Sequence, residues 1–369
     1  MPRLLMNIRK TLSSISRTKG RVFVGLSGGV DSAVSAALLK QRGFDVTGVF
    51  IKVWQPDFLP CSWRDERRDA MKVAIALGIP FLFFDFEKEY KKEVVDKMIT
   101  EYKSGRTPNP DVLCNREIKF GAFWKKAKSM GADFIATGHY WSGEKDQSYF
   151  LWTLTKEDLA HIIFPVGNLE KSEVRKLATK FNLPVSEKKD SQGICFIGDV
   201  SMDDFLSHFI LTKPGNVLNT KGGIIGTHKG ALFYTIGERH GFEVLKKHSN
   251  DGAFYILSKD MKANTITVSN KEPEIISLSP IKITVKNVNW IAEATLPLLC
   301  SARIRYRGEK IPVTVKHRVF DSMTVEFKKP VRGLSLGQSI VFYLPAEASA
   351  KAGDGDVCLG GGVMDKILK

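Results

Sequence analysis

Hydrophobic and polar positions change rhythm along the chain. In the first half, short runs rich in β-branched and aromatic residues alternate with stretches whose apolar positions recur at helical spacing. The runs are RVFVGL (Arg21 to Leu26), VTGVFIKVW (Val46 to Trp54), PFLFFDF and DFIATGH. Between the first two, Ala33, Val34, Ala37 and Leu38 share a helical face that Gly43 closes. Further helices are predicted over Asp65 to Leu77, Glu89 to Lys103 and Glu117 to Met130. Strands joined through helices pair in parallel, with helices on both faces and ligands outside the carboxyl ends of the strands. Ser27 to Ser32, His139 and Asn109 to Asn115 fall on that rim. After about Leu211, Gly and Pro turns separate short strands. From Glu274 the pattern is mostly alternation, as in ITVKNVNW, PVTVKH, MTVEF and SIVFYL. The expected fold class is therefore α/β, a parallel-sheet domain over 21–211, then a small central domain over 212–275 and a β-barrel or sandwich over 276–369, with 1–20 as a basic leader.

A chain of 369 residues is long enough for these parts and for a sizeable core. No apolar run approaches the roughly 20 residues that cross a bilayer as a helix, so no membrane partner is expected. The 55 Lys and Arg outnumber 40 Asp and Glu, and the net charge of +15 favours a polyanion, nucleic acid first. Cys61, Cys114, Cys195, Cys300 and Cys358 are odd in number, widely spaced and without a CxxC pair. That pattern fits neither a secreted disulfide framework nor a zinc ribbon, and it implies a reducing compartment. The leader carries Arg3, Arg9, Lys10, Arg17 and Lys19 but no acid and no continuous apolar core. A cytoplasmic protein is expected, with an organelle-targeting leader as the weaker alternative.

The strongest local signal is Gly25-Leu26-Ser27-Gly28-Gly29-Val30-Asp31-Ser32, between a strand and a helix. The glycines allow backbone to approach an anion, the helix start offers its positive end, and Ser27 and Ser32 add hydroxyl donors. Neither a terminal Gly-Lys-Ser/Thr nor GxGxxG is present. Asp31 would repel phosphate unless it caps the helix or holds magnesium through water. The simpler alternative is a tight glycine turn capped at a helix start. The motif resembles the pyrophosphate loop of ATP pyrophosphatases, which form adenylates; it does not choose among their members, which include small-molecule synthetases and tRNA thiolation enzymes.

In the segment Gly105 to Asn115, Asn109 suits a helix N-cap and Pro110 the first helical position, which sets Asp111 and Cys114 three apart on one face. A helix start eases deprotonation of a thiol, while a neighbouring acid opposes it unless engaged elsewhere. A capped helix with a buried core cysteine explains the same residues. Cys195 lies in KDSQGICFIG, which fits a mobile loop as well as a buried turn. Arg303, Arg305 and Arg307 would line one face of a strand, suited to phosphates, with Tyr306 on the other face unless the strand ends or bulges there.

Together, SGGVDS, GRTPNPDVLCNREIKFG, ATGHY, KDQSYFL, FPVGNLEKSEVRKLA, DSQGICFIGD, RIRYR and CLGGG closely resemble the tRNA-specific 2-thiouridylase family from about Arg21 onward. Those enzymes replace O2 of the wobble uridine with sulfur. The resemblance implies an ATP pyrophosphatase catalytic domain, a central adaptor and a tRNA-binding β-barrel. It implies ATP at Gly25 to Ser32, with Ile51 and Gly138 on the adenosine side, and Mg2+ in support. It makes Cys195 the persulfide carrier, Cys114 its partner nucleophile in a redox-active disulfide, and Asp111 the acid/base. It places Asn109 and Pro110 beside the target base, and His139, Lys145, Asp146, Gln147, Arg305, Tyr306 and Gln338 on tRNA. The implied partners are tRNAs for lysine, glutamate and glutamine, and a cysteine desulfurase or sulfur-relay protein; a monomer is expected. The segment 141–144 is shorter than the family's hairpin, which bears on the placement of Lys145 to Gln147. Cys61, Cys300 and Cys358 read as structural. The competing readings are a small-molecule adenylating synthetase and a non-catalytic tRNA-binding or sulfur-carrier module.

Overall fold

The computed structural model describes residues 20–59, 63–141, 143, 145–189, 200–245, 251–319, 322–344 and 356–368. Cys61 and Cys195 lie outside the described residues. The first sheet holds β1 (Arg21–Gly25), β2 (Asp45–Lys52), β3 (Phe81–Asp85), β4 (Phe134–Ala136) and β5 (Ile162–Ile163). All pair in parallel in the order β3-β2-β1-β4-β5. In β1, Val22 and Val24 face one core and Phe23 the other, so the strand is buried on both sides. The order reverses between β2 and β4 on either side of β1, and the crevice at that switch is where an open α/β sheet takes its ligand.

Helix α1 (Val30–Gln41) follows β1 and helix α2 (Trp63–Leu77) precedes β3. Two longer helices differ from the expected pair. The first, α3, runs without a break through Glu87–Tyr90, Lys91–Asp96 and Lys97–Lys103. The second, α4, runs through Pro110–Leu113, Cys114–Ala122 and Phe123–Ser129, so it begins seven residues before Glu117. The middle part of each is wound with i→i+5 bonding, a wider turn than the α-helix.

The central domain is a sheet of β6 (Gly215–Leu218), β7 (Ile224–His228), β8 (Phe242–Val244), β9 (Tyr255–Asp260) and β10 (Thr265–Ser269), in the order β8-β7-β6-β10-β9. A closed barrel follows, of β11 (Lys282–Trp290), β12 (Leu298–Arg303), β13 (Ile311–Val319), β14 (Ser322–Phe327), β15 (Ser339–Leu344) and β16 (Val357–Ile367). Alternating strands thus resolve as a barrel, not a sandwich. No helix among the described residues is long and apolar enough to cross a membrane.

The barrel and the α/β domain share one core, through Tyr149, Trp152 and Ile340. Trp152 Nε1 donates to Ser339 Oγ at 3.0 Å, and Asn289 Nδ2 donates to the carbonyls of Trp152 and Leu154 at 2.7 and 2.8 Å. A Cβ on Gly361 would lie 2.9 Å from Trp152 Cγ, which explains why glycine stands in the Cys358-Leu-Gly-Gly-Gly strand where the indole crosses it. Cys300 and Cys358 are buried in the barrel wall, and burial pushes the Cys300 thiol up to about 12.

Candidate active site

The phosphate-type loop connects β1 to α1. Gly28 has φ +75°, and a Cβ there would run into the carbonyl of Glu66 on α2. Serine hydroxyls hold the turn: Ser27 N donates to Ser32 Oγ at 3.2 Å, Gly29 N to Ser27 Oγ at 3.3 Å, and Ser32 Oγ to Gly29 O at 3.1 Å. Gly29 occupies the N-cap of α1 and supplies no side chain to the first-turn amides, the arrangement that leaves a helix start open to an anion. Gly138, just after β4, presses on the same turn, since a Cβ there would lie 2.8 Å from Asp31 C and Ser32 N. Ile51 stands near the end of β2, in register with Phe84.

Asp31 does not cap the helix. Its Oδ1 accepts hydrogen bonds from Tyr140 Oη and Lys171 Nζ, both at 2.6 Å. Lys171 opens helix α6 (Lys171–Lys180), numbered after the short α5 (Lys156–Leu159), and neither it nor Tyr140 is singled out by residue-level reasoning. The signal was present in FPVGNLEKSEVRKLA, a block without an assigned role. Among the described residues no group of three His, Cys, Asp or Glu can hold a metal ion. Asp31 is the carboxylate beside the loop that would hold a magnesium ion carried mainly by substrate phosphates.

At the start of α4, Asn109 Oδ1 accepts from Val112 N at 3.3 Å and Pro110 takes the first helical position. Asp111 is partly buried on the first turn, and Cys114, 2% exposed, stands three residues on. Burial raises the Asp111 carboxyl above its ordinary value, with the charge of Lys119 acting in the opposite sense. Asn115 Nδ2 donates to Phe150 O at 3.1 Å, and Tyr149 Oη donates to Ser339 O at 3.0 Å, fixing the helix start against the barrel.

His139 joins the loop to this helix. It follows Gly138, its Nδ1 lies 2.8 Å from Thr137 Oγ1, and its ring packs on Phe120 of α4 at 5.6 Å and on Phe164 at 6.2 Å. Burial first, then Lys119, holds its pKa well below the usual value, so the ring is neutral at neutral pH. His139 thereby links the phosphate loop, through Gly138, to the middle of the helix that begins with Asp111 and Cys114. Whether Cys195 joins them lies outside the described residues.

The residues expected on RNA divide. Arg303, Arg305 and Arg307 do not share a strand face, because β12 ends at Arg303 and the chain turns there, with Arg307 at φ +59°. Arg303 Nη1 lies 3.3 Å from Asp146 Oδ2. Arg305 Nη2 donates to the carbonyls of Ile236 and Gly333 at 2.6 and 2.7 Å, stapling the central domain to the barrel. Tyr306, past the strand end, packs on Phe150 at 4.5 Å with Arg307 over its ring. Gln147 Oε1 accepts from Tyr140 N and Asp146 Oδ1 from Ser148 N, so both brace the short segment after His139; Lys145 stands partly exposed beside them. Gln338 Nε2 donates to Pro108 O at 3.0 Å, while Thr107 N donates to Leu336 O at 2.9 Å and Arg106 Nη1 to Asp365 Oδ1 at 3.3 Å. The barrel therefore holds the loop that leads into α4.

Three family models cover the chain: the tRNA methyl transferase HUP domain over 20–199, the tRNA methyl transferase PRC-barrel domain over 203–270, and the aminomethyltransferase beta-barrel domain over 281–364. Fold and loop together thus define a PP-loop protein, a HUP-type α/β domain with a PRC-barrel and a β-barrel attached. Its sequence is 41% identical, over 95% of each chain, to the tRNA-specific 2-thiouridylase MnmA of Listeria welshimeri. It is 43% identical to MnmA 1 of Geobacillus kaustophilus, over 95% of this chain and 97% of that one. The chain belongs to the tRNA-specific 2-thiouridylase family. Among solved structures, the U34-tRNA thiolase NcsA of Methanococcus maripaludis matches 56% of this chain and 71% of its own, at 22% identity and a TM-score of 0.37.

Proposed function

We propose that this chain is an ATP-dependent tRNA sulfurtransferase that makes 2-thiouridine at the wobble position of tRNAs for lysine, glutamate and glutamine. The observation that supports the reading is the link, through Gly138 and His139, from the serine-laced phosphate loop to Phe120 of α4, the helix whose first turns carry Asp111 and Cys114. Uridine O2 is a poor leaving group. Its attack on the α-phosphate of ATP expels pyrophosphate and turns O2 into part of a departing AMP. Ser27, Ser32 and the amides of α1 bind the phosphates, Lys171, held on Asp31, adds positive charge beside them, and magnesium would offset their charge. Asp111 moves the proton at the pyrimidine. A cysteine desulfurase or relay protein loads Cys195 with a persulfide; the Cys114 thiolate attacks its inner sulfur, giving the Cys114–Cys195 disulfide and hydrosulfide. Hydrosulfide adds to C2 and AMP leaves with the former O2. A reductant then reopens the disulfide.

A small-molecule synthetase would share the loop without needing the acid–thiol helix, and methyl transfer would need neither. The test combines ATP, magnesium, unmodified tRNA and a cysteine desulfurase with labelled cysteine, followed by mass analysis of nucleosides. Labelled 2-thiouridine with AMP and pyrophosphate is expected, and it should vanish in Cys195→Ser and in Ser27→Ala with Asp31→Ala. Sulfur incorporation that survives both variants overturns the assignments, and turnover without RNA favours the synthetase.

A further inference from the structure

An acid and a thiol placed on consecutive positions of one helical face repel each other once both are charged, and both are shielded from water here: Cys114 is 2% exposed and Asp111 partly buried. A pair of this kind functions as two anions only with a cation between or above them. The winding of α4 provides one. In an ordinary α-helix a residue five positions on is turned away by about 140°. From Cys114 to Ala122 the helix closes i→i+5 rings instead, and the wider turn brings the residue five positions on back toward the side of the first. Lys119 is therefore returned to the side of Cys114, with Asp111 on the turn below. The next residue, Phe120, packs on His139, so this stretch of α4 lies against the segment that follows β4.

We propose that Lys119 is a positioning residue of the sulfur-transfer site, the shared counter-charge of the Asp111 carboxylate and the Cys114 thiolate. The inference rests on the sulfurtransferase reading and deepens it. The charge of Lys119 acts, second to burial, on both Asp111 and His139, lowering the pKa of each. Among the described residues, Glu117 is paired with Arg116 at 2.6 Å and Lys97 at 3.5 Å, and Lys97 with Glu93 at 2.6 Å. Lys119 thus acts through the thiol and the carboxylate without being consumed in the reaction.

The test uses the full chain with Lys119→Met and Lys119→Arg. The pH dependence of iodoacetamide alkylation is read at the Cys114 peptide by mass spectrometry, beside the thiolation rate at saturating ATP and tRNA. Lys119→Met should move the alkylation midpoint up by about one unit or more and slow thiolation by about tenfold or more, leaving the KM for ATP in place. Lys119→Arg should return both toward wild type. An unchanged midpoint in a folded Lys119→Met protein overturns the proposal, as does a lost rate that Arg does not restore. Should Lys119→Met melt early, a raised midpoint in Lys119→Arg has the same force. A wild-type protein that makes no 2-thiouridine sinks the parent reading instead, while the alkylation midpoint still decides on Lys119.

Discussion

Lys171 Nζ donates to Asp31 Oδ1 over 2.6 Å, a contact between residues 140 apart in sequence. It answers the difficulty of a carboxylate inside a phosphate cradle, since the acid arrives already paired and also accepts from Tyr140. The pair is partly exposed, with side chains at 16% and 31%, so it adds about 1 kcal/mol or less to stability. On the proposed function, its effect is expected at ligand binding. Lys171→Met should lower pyrophosphate release by more than about tenfold while shifting thermal unfolding little. A large fall in melting temperature with normal turnover of the folded fraction would assign Lys171 to the fold alone.

Gly28 and Gly138 are constrained chiefly by neighbouring backbone, with the Asp31 Cβ adding to the crowding at Gly138. Gly28→Ala adds a Cβ at φ +75° against the Glu66 carbonyl, and Gly138→Ala adds one 2.8 Å from Asp31 C and Ser32 N. Strain at the first is about 1–2 kcal/mol before the clash is counted. Both variants should lose ATP turnover, with Gly28→Ala also melting earlier. Denaturant unfolding beside a pyrophosphate assay checks this, and wild-type turnover in either would remove that glycine from the cradle.

Two groups give opposite pH signatures. His139 is held well below 6.5 by burial and then by Lys119, so the unfolded chain protonates first as pH falls. Its contribution to stability is present above 6.5 and lost on acidification toward the folded value. Asp111 is raised above 3.8 by burial, so its contribution is present below 3.8 and lost as pH rises through the folded value. Urea midpoints measured across this range should show acid destabilisation below 6.5 that His139→Gln reduces. Identical slopes in the two proteins would mean that the ring titrates normally.

Arg305→Ala should act in two places. Losing its bonds to Ile236 and Gly333 should speed hydrogen exchange in the turns around both, and losing its charge should weaken tRNA binding with a flatter salt dependence. Faster exchange with unchanged binding would make Arg305 a staple only.

Much of the α/β domain was legible because its signals are local. Val22, Phe23 and Val24 mark a strand buried on both faces, and Ser27-Gly-Gly with a following stretch of small and apolar residues at helical spacing marks the turn into α1, which is buried on most of its circumference. Asn109 and Pro110 marked the start of a helix, yet its continuity into Phe123 and its widened winding depend on packing against α3, which no local period reports. The arginines of RIRYR read as strand because alternation continues past Arg303, where the pull of Ile236 and Gly333 on Arg305 ends it. The Asp31–Lys171 pair was invisible for a different reason: its members meet only after the sheet has formed.

The anchoring of residues 106–108 to Leu336, Gln338 and Asp365 has a wider consequence. The segment that would cradle the pyrimidine is suspended from the C-terminal domain, so its shape depends on a partner far along the chain. Exchanging that domain between homologues would alter chemistry as well as RNA grip unless the matching linker residues travelled with it.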